Sequence, residues 1–417
     1  MEKQMPDMKE SDLIDRGAIP PSDFHQSIER LREIAGYDLE IPGDFEKRLE
    51  EATAELVLSE EVLRATAAAI RVGHVVLQGP PGTGKSSLVR AVANAFNVST
   101  FAVTAHEDWT IYDVIGRLEL RLTEDRKEEI TPVNGALTEA VIRCGNNVVQ
   151  HFDDSRLPQA EWLLIDELNR AHLDRAFGEL FSVLGTDDLV PINLPHQKEG
   201  NRELVIPHRF RIIATLNSYD KQFVQSLSQA IRRRFTFITL DIPHEKSSEV
   251  PWQFDISHAS AAIREFSSVL NRVSRRIAQR ECSMTPENTG QVAEEILSEV
   301  RSRHLGRISS LFDIVASVRY ASEGDDIPHL PIGTAQLIDT VDIFLTRLRL
   351  DGNSAGSADK MIDWAASVKL APLFESELLG PDQLAEFAHN LPSPFSNQMK
   401  RELLIIAASG LHFVPEI

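Results

Sequence analysis

Residues 79–86 read Gly79-Pro80-Pro81-Gly82-Thr83-Gly84-Lys85-Ser86, and no other segment limits the possible folds so sharply. The apolar run His74–Gln78 before it has the character of a buried strand. Ser86-Ser87-Leu88-Val89-Arg90-Ala91-Val92-Ala93 after it has helical spacing. A strand passing through a glycine-rich turn into a helix start aims backbone N–H groups and the positive helix end at one point, which suits a polyphosphate. Gly79, Gly82 and Gly84 allow close backbone approach, Lys85 would reach the β- and γ-phosphates, and the Ser86 hydroxyl would hold Mg2+. Binding of a nucleoside triphosphate is expected of Gly79–Ser86 together with Ser87 in the first helical turn.

At 417 residues the chain has room for two or three domains, and its 42% hydrophobic content fits folded cores. No stretch approaches the roughly 18 apolar residues of a membrane span, and Met1–Asp7 lacks a signal-peptide pattern. A cytoplasmic chain without a membrane partner is expected. Cys144 and Cys282 lie in separate segments without metal-ligand spacing and read as ordinary reduced thiols. The 43 basic and 63 acidic residues give a net charge of −20. A uniformly acidic surface repels nucleic acid, so any nucleic-acid involvement is expected to be indirect, or through a local basic patch or ring pore.

Residues 1–60 hold 7 basic and 16 acidic residues, and Pro20-Pro21 and Ile41-Pro42-Gly43 interrupt their helical patterns. Residues 1–58 read as an acidic, partly ordered arm, followed by a helix that Ser59-Glu60-Glu61 opens. Over 59–245, strands alternate with helices, which predicts an α/β domain with a parallel five-stranded sheet. The candidate strands are His74–Gln78, Thr100–Thr104, Trp162–Asp166, Phe210–Leu216 and Phe235–Leu240, nearly continuous in apolar residues. Ile115–Arg121 and Ile130–Gly135 flank a charged turn and predict an inserted β-hairpin before a helix from about Ala136. Leu189–Leu194 and Glu203–Ile206, around a polar loop, predict a second. Residues 246–417 read as an all-α domain, with Ser267–Ile277 and Leu337–Leu348 at helical spacing and a linker-like break at Gly352–Gly356.

Three further segments carry chemistry. Trp162–Glu167 is an apolar strand ending in two carboxylates, and ligands gather at the carboxyl ends of parallel strands. Asp166 is placed to hold the Mg2+ shell and Glu167 to polarise a water for attack on the γ-phosphate. Asn217, closing the strand Phe210–Leu216, is placed to hydrogen-bond that water or the γ-phosphate; capping a turn is the plainer role of an Asn. Ala230-Ile231-Arg232-Arg233-Arg234-Phe235 supplies guanidiniums of the kind that neutralise charge in phosphoryl transfer across a subunit boundary. Arg272, Arg276 and Arg280 share one helix face with Arg275 beside them; they read as a solvated stripe paired with neighbouring glutamates, or as a grip for an acidic partner or nucleic acid.

Together, Gly79–Ser86, Leu164-Ile165-Asp166-Glu167-Leu168-Asn169-Arg170-Ala171, the Asn217 strand and Ala230–Phe235 resemble the AAA+ ATPases. Asp166–Ala171 resembles the MoxR and McrB-type branch, and the Arg-Arg-Arg-Phe run is closer to McrB, the motor of modification-dependent restriction systems. Lys369–Glu375 also resembles a segment of McrB-like lids. The resemblance covers about residues 55–245 well and the helical remainder loosely. It implies a P-loop NTPase fold with a C-terminal α-helical lid, and ATP or GTP with Mg2+. It implies a ring, usually a hexamer, with nucleotide between neighbours. Asn217 takes the sensor-1 role, and Arg234, with Arg233 second, matches the arginine finger. Asn169 and Arg170 fall near the subunit boundary, and the two hairpins match inserts that face the ring pore.

The chain departs from that pattern in two places. Nothing in residues 1–60 resembles a reader of modified DNA, and near Pro331–Gln336, where many relatives carry a sensor-2 arginine, this chain has Gln336. The expected function is an ATPase motor coupled to a separate effector such as a nuclease, in a restriction, anti-phage or DNA-processing complex. A MoxR-like chaperone that remodels a protein complex without nucleic acid is the alternative.

Overall fold

The computed structural model describes residues 30–122, 128–178, 191–197, 203–217, 229–242, 261–282, 288–321, 327–351, 355–375 and 380–410. These fall into two compact units. The first comprises the described residues of 1–54, 60–79 and 85–239. The second comprises those of 55–59, 80–84 and 240–417.

The first unit is α/β. Helices α1 (Phe45–Thr53) and α2 (Glu60–Val72) lead into β1 (His74–Gly79), followed by α3 (Lys85–Ala95) and β2 (Ser99–Thr104). A hairpin of β3 (Gly116–Leu122) and β4 (Glu128–Asn134) precedes α4 (Ala136–Asp153). Then come β5 (Glu161–Asp166), the short antiparallel pair β6 (Ile192–Asn193) and β7 (Glu203–Leu204), β8 (Ile212–Asn217), α5 (Gln229–Arg234) and β9 (Phe235–Thr239). The five main strands are all parallel in the order β2-β5-β8-β1-β9. Val75, Val76 and Leu77 of β1 and Leu163, Leu164 and Ile165 of β5 are buried, as strands covered on both faces require. Both expected hairpins are present, the second only as the two-residue pair β6–β7; Leu189 and Val190 lie outside the described residues.

Arg211 shows how the sheet entry is sealed. Its guanidinium is buried, yet it donates to the carbonyls of Ile70 (2.6 Å) and Arg71 (2.6 Å) in the last turn of α2, and to those of His208 and Phe210. A cation at a helix C-terminus offsets the dipole and satisfies carbonyls that the helix leaves open. Cys144 is buried, and desolvation pushes its thiol up to about 12, so it stays protonated; Cys282 is buried as well.

The second unit is helical over its described residues beyond 261, with α6 (Ala261–Glu281), α7 (Thr289–Arg303), α8 (Leu305–Arg319), α9 (Thr334–Asp351), α10 (Ala355–Lys369), α11 (Pro381–His389) and α12 (Gln398–Gly410). One apolar core runs from Phe266 and Val273 through Val341 and Phe344 to Phe395 and Leu403. No described helix is long and apolar enough to cross a membrane. The arginine stripe is paired, but with partners other than neighbouring glutamates. Arg272 and Arg275 reach Glu55, Arg276 reaches Asp339 at 3.3 Å, and Arg280 reaches Asp342 at 2.6 Å. A helix face sets which arginines lie together, whereas the packed neighbour decides what they meet.

His74 sits between the rings of Phe210 and Phe235, and its Nδ1 accepts the Ile212 N–H at 3.0 Å. Desolvation of the ring, then the nearby Arg211 charge, lowers its pKa from 6.5 to about 3. The folded chain therefore stays neutral at His74 where the unfolded chain takes up a proton. The associated stability is complete above about pH 6.5 and drains away towards about pH 3. We expect His74→Asn, whose side-chain oxygen can still accept that N–H, to lose stability less steeply than the wild type as pH falls from about 6.5 to about 5. The difference should approach about 1.4 kcal/mol per pH unit in denaturant titrations, and parallel slopes would count against it.

Candidate nucleotide site

The site begins with strand register. Leu163 pairs with Ile212, Leu164 with Ile213 and Ile165 with Ala214, so one further step sets Asp166 beside Thr215. The Thr215 hydroxyl donates to Asp166 Oδ1 at 2.7 Å, and its oxygen accepts the Glu167 N–H at 3.1 Å. The Ser86 hydroxyl, at the start of α3, donates to the same Asp166 Oδ1 at 2.8 Å. One carboxylate oxygen thus collects the hydroxyls of two other elements. Thr215 is only 3% exposed, and its donor and acceptor capacity are both used.

Glu167 directly after β5 has φ 56° and ψ 44°, a left-handed conformation uncommon for a residue with a Cβ. Such backbone persists where surrounding bonds over-determine it. Here the Glu167 N–H is held by Thr215, and the Glu167 carbonyl accepts the Arg170 N–H at 2.9 Å as a 3-10 turn forms over Leu168–Arg170. The Glu167 side chain meets Arg170, Nε to Oε2, at 2.7 Å. Asn169, 6% exposed, accepts the Asn217 N–H on Oδ1 at 3.4 Å, which ties this turn to the end of β8. Its Nδ2 is buried without a partner. The β1–β8 register sets Gly79 beside Asn217, and Lys85 Nζ donates to the Gly79 carbonyl at 2.9 Å. Gly79, Lys85, Ser86, Asp166, Glu167 and Asn217 therefore cluster at the carboxyl ends of β1, β5 and β8, where parallel sheets hold ligands.

Pro80–Gly84 belong to the helical unit. Gly82 (φ +78°) and Gly84 (φ +84°) adopt left-handed backbone that a side chain would strain. Thr83 Oγ1 donates to the Pro80 carbonyl at 3.0 Å. The start of α9 meets this segment closely. Ala335 N–H approaches the Gly82 carbonyl at 3.3 Å, and a Cβ on Gly333 would stand 2.3 Å from the Pro81 oxygen. Gln336 Oε1 is buried with no hydrogen-bond partner and faces Gly82, at the place where the sequence lacks an arginine. A buried ion pair fixes that turn. Arg319 forks onto Glu265 (2.7 and 2.9 Å) and reaches the Ile332 carbonyl (2.7 Å), while Thr334 Oγ1 donates to Glu265 (2.6 Å).

In the first unit, Arg232 and Arg233 are exposed on α5 and Arg234 is half-buried immediately before β9. Successive helical residues point about 100° apart, so the three guanidiniums take different directions. Ser86 Oγ and Asp166 Oδ1 are hard oxygen donors 2.8 Å apart, a set that suits Mg2+, which keeps several waters and phosphate oxygens of its own. No cluster of three or more His, Cys, Asp or Glu capable of holding a metal is present among the described residues.

Two residues of the cluster carry no site role in the sequence reading. Thr215 is the lone polar residue in Ile212-Ile213-Ala214-Thr215-Leu216, a signal visible in retrospect. Asn169 is visible only through the family resemblance, and its bond to the Asn217 backbone has no sequence signature.

Residues 74–235, from the start of β1 to the first residue of β9, match the model of the AAA domain (dynein-related subfamily). The chain is also similar to a solved structure described as a "putative ATPase from Cytophaga hutchinsonii", at 14% identity and TM-score 0.33, over 94% of this chain and 98% of that one.

The Thr215 bridge can be weighed directly. Thr215→Val keeps the shape but strips one donor from Asp166 and strands the Glu167 N–H. We expect a loss of about 1–3 kcal/mol in denaturant unfolding, since each bond is buried or charge-assisted. An unchanged midpoint would mean that the bridge contributes nothing.

Proposed function

We propose that this chain hydrolyses ATP or GTP and passes the resulting conformational change to a separate effector. The observation that carries the reading is the cluster in which Asp166 joins Ser86 and Thr215 beside Glu167. In this reading the backbone of Gly79–Ser87 and the Lys85 ammonium hold the triphosphate. Ser86 and Asp166 hold Mg2+, which when bound neutralises charge on the β- and γ-phosphate oxygens. Glu167 takes the proton of the attacking water as it adds to the γ-phosphorus, the bond from that phosphorus to the β–γ bridging oxygen breaks, the nucleoside diphosphate leaves with that oxygen, and Asn217 orients the water. Arg234, or the more exposed Arg233, serves the nucleotide of a neighbouring copy in a ring, which we take as a hexamer by resemblance.

The likeness of Asp166–Ala171 and Ala230–Phe235 to the McrB branch supports an effector of the nuclease kind in a restriction or anti-phage complex. Isolation of the native complex with its bound proteins tests this: a co-purifying nuclease supports it, and a remodelled protein complex without one redirects it to a chaperone role.

Glu167→Gln should reduce multiple-turnover phosphate release by about 100-fold or more while nucleotide binding persists. Wild-type turnover no faster than the variant's would overturn the hydrolase reading. Mixing Arg234→Ala with Lys85→Ala subunits should restore part of the activity if the arginine acts across a boundary. Absence of rescue at every mixing ratio would remove Arg234 from that role.

A further inference from the structure

We propose that Arg170 is a positioning residue for hydrolysis: its guanidinium holds the Glu167 carboxylate in the orientation from which it receives the proton of the attacking water. The proposal deepens the hydrolase reading and rests on it. The backbone of the Glu167 turn is fixed by the Thr215 bond, by the Arg170 N–H to Glu167 carbonyl bond at 2.9 Å, and by the buried Leu168 and Asn169. The Glu167 side chain is not fixed by burial, because it is 38% exposed and turns about three torsions. A base free to rotate spends little time aligned with a water, and an ångström of misplacement costs about 100-fold in rate. Arg170, three residues on, closes that freedom with an Nε–Oε2 contact of 2.7 Å and leaves Oε1 for the water's proton.

The same contact does little for stability. Its partners are 53% and 38% exposed, and exposed pairs of this kind contribute little to folding. The 3-10 turn is held by backbone bonds that do not involve the guanidinium. Loss of Arg170 is therefore predicted to act on the orientation of Glu167 and not on the fold. Because the pair is a single charge contact and not a two-pronged fork, a lysine ammonium is further predicted to restore part of the effect.

The test measures steady-state and single-turnover ATP hydrolysis in the full chain for wild type, Arg170→Ala, Arg170→Lys, Glu167→Gln and the double variant Arg170→Ala/Glu167→Gln. We expect Arg170→Ala to lower kcat by about 10- to 100-fold, with KM for ATP and the unfolding midpoint nearly unchanged. Arg170→Lys should recover part of kcat. In the Glu167→Gln background, Arg170→Ala should change the residual rate by less than about twofold, because a residue acting through Glu167 has nothing left to orient. A full loss repeated in that background would show that Arg170 acts on the phosphates independently and would overturn the proposal. An unchanged kcat, or a loss confined to KM, would overturn it too. Wild-type protein that turns over neither ATP nor GTP removes the hydrolase reading first, a result distinct from any pattern among the variants.

Discussion

Much of the candidate site hangs on one oxygen. Asp166 Oδ1 accepts the hydroxyls of Ser86 and Thr215, and so joins the first turn of α3 to the carboxyl ends of β5 and β8. Hydrogen bonds to an ionised acceptor contribute about 1.5–3 kcal/mol each, roughly twice a neutral pair. The geometry exists because a parallel register sets Asp166 level with Thr215, and a slip of one residue in either strand would part the two side chains onto opposite sheet faces. The Thr215 oxygen then takes the Glu167 N–H, which allows the left-handed step at Glu167. The turn over Leu168–Arg170 follows from that step. A single hydrogen-bonded carboxylate therefore sets the backbone from which the candidate base projects.

The helical unit contains a matching constraint of a different kind. Glu265 and Arg319 are almost completely enclosed, and enclosure of two charges is costly unless each is fully bonded. Here the carboxylate takes two guanidinium bonds and the Thr334 hydroxyl, and the guanidinium Nε–H goes to the Ile332 carbonyl. The cluster spans the start of α6, the end of α8 and the turn before α9. It fixes the position from which α9 begins.

Much of this was legible in the sequence, for identifiable reasons. The five strands announce themselves because burial on both faces demands continuous apolar runs, and each predicted run overlaps a strand of the sheet. Glycines at Gly82 and Gly84 mark left-handed backbone, which few other residues tolerate. The β3–β4 hairpin was readable from two runs about a charged turn. What the sequence withheld depends on pairing across long separations. Thr215 meets Asp166 through register, 49 residues apart, and no local pattern encodes register. The stripe of arginines on α6 was visible as a stripe, but Glu55 and Asp342, its partners, come from distant segments brought in by packing. The Arg170–Glu167 pair is local, yet it arises from the left-handed step, which is itself a tertiary product.

The contact between Gly333 and the Pro81 carbonyl has a mechanical meaning. With 2.3 Å between a notional Cβ and that oxygen, backbone lies against backbone, and the end of the Gln336 side chain stands beside the contact. The turn before α9 therefore has no space for a side chain at residue 333, and any larger residue there would have to push the glycine loop away from the first turn of a helix 18 residues long.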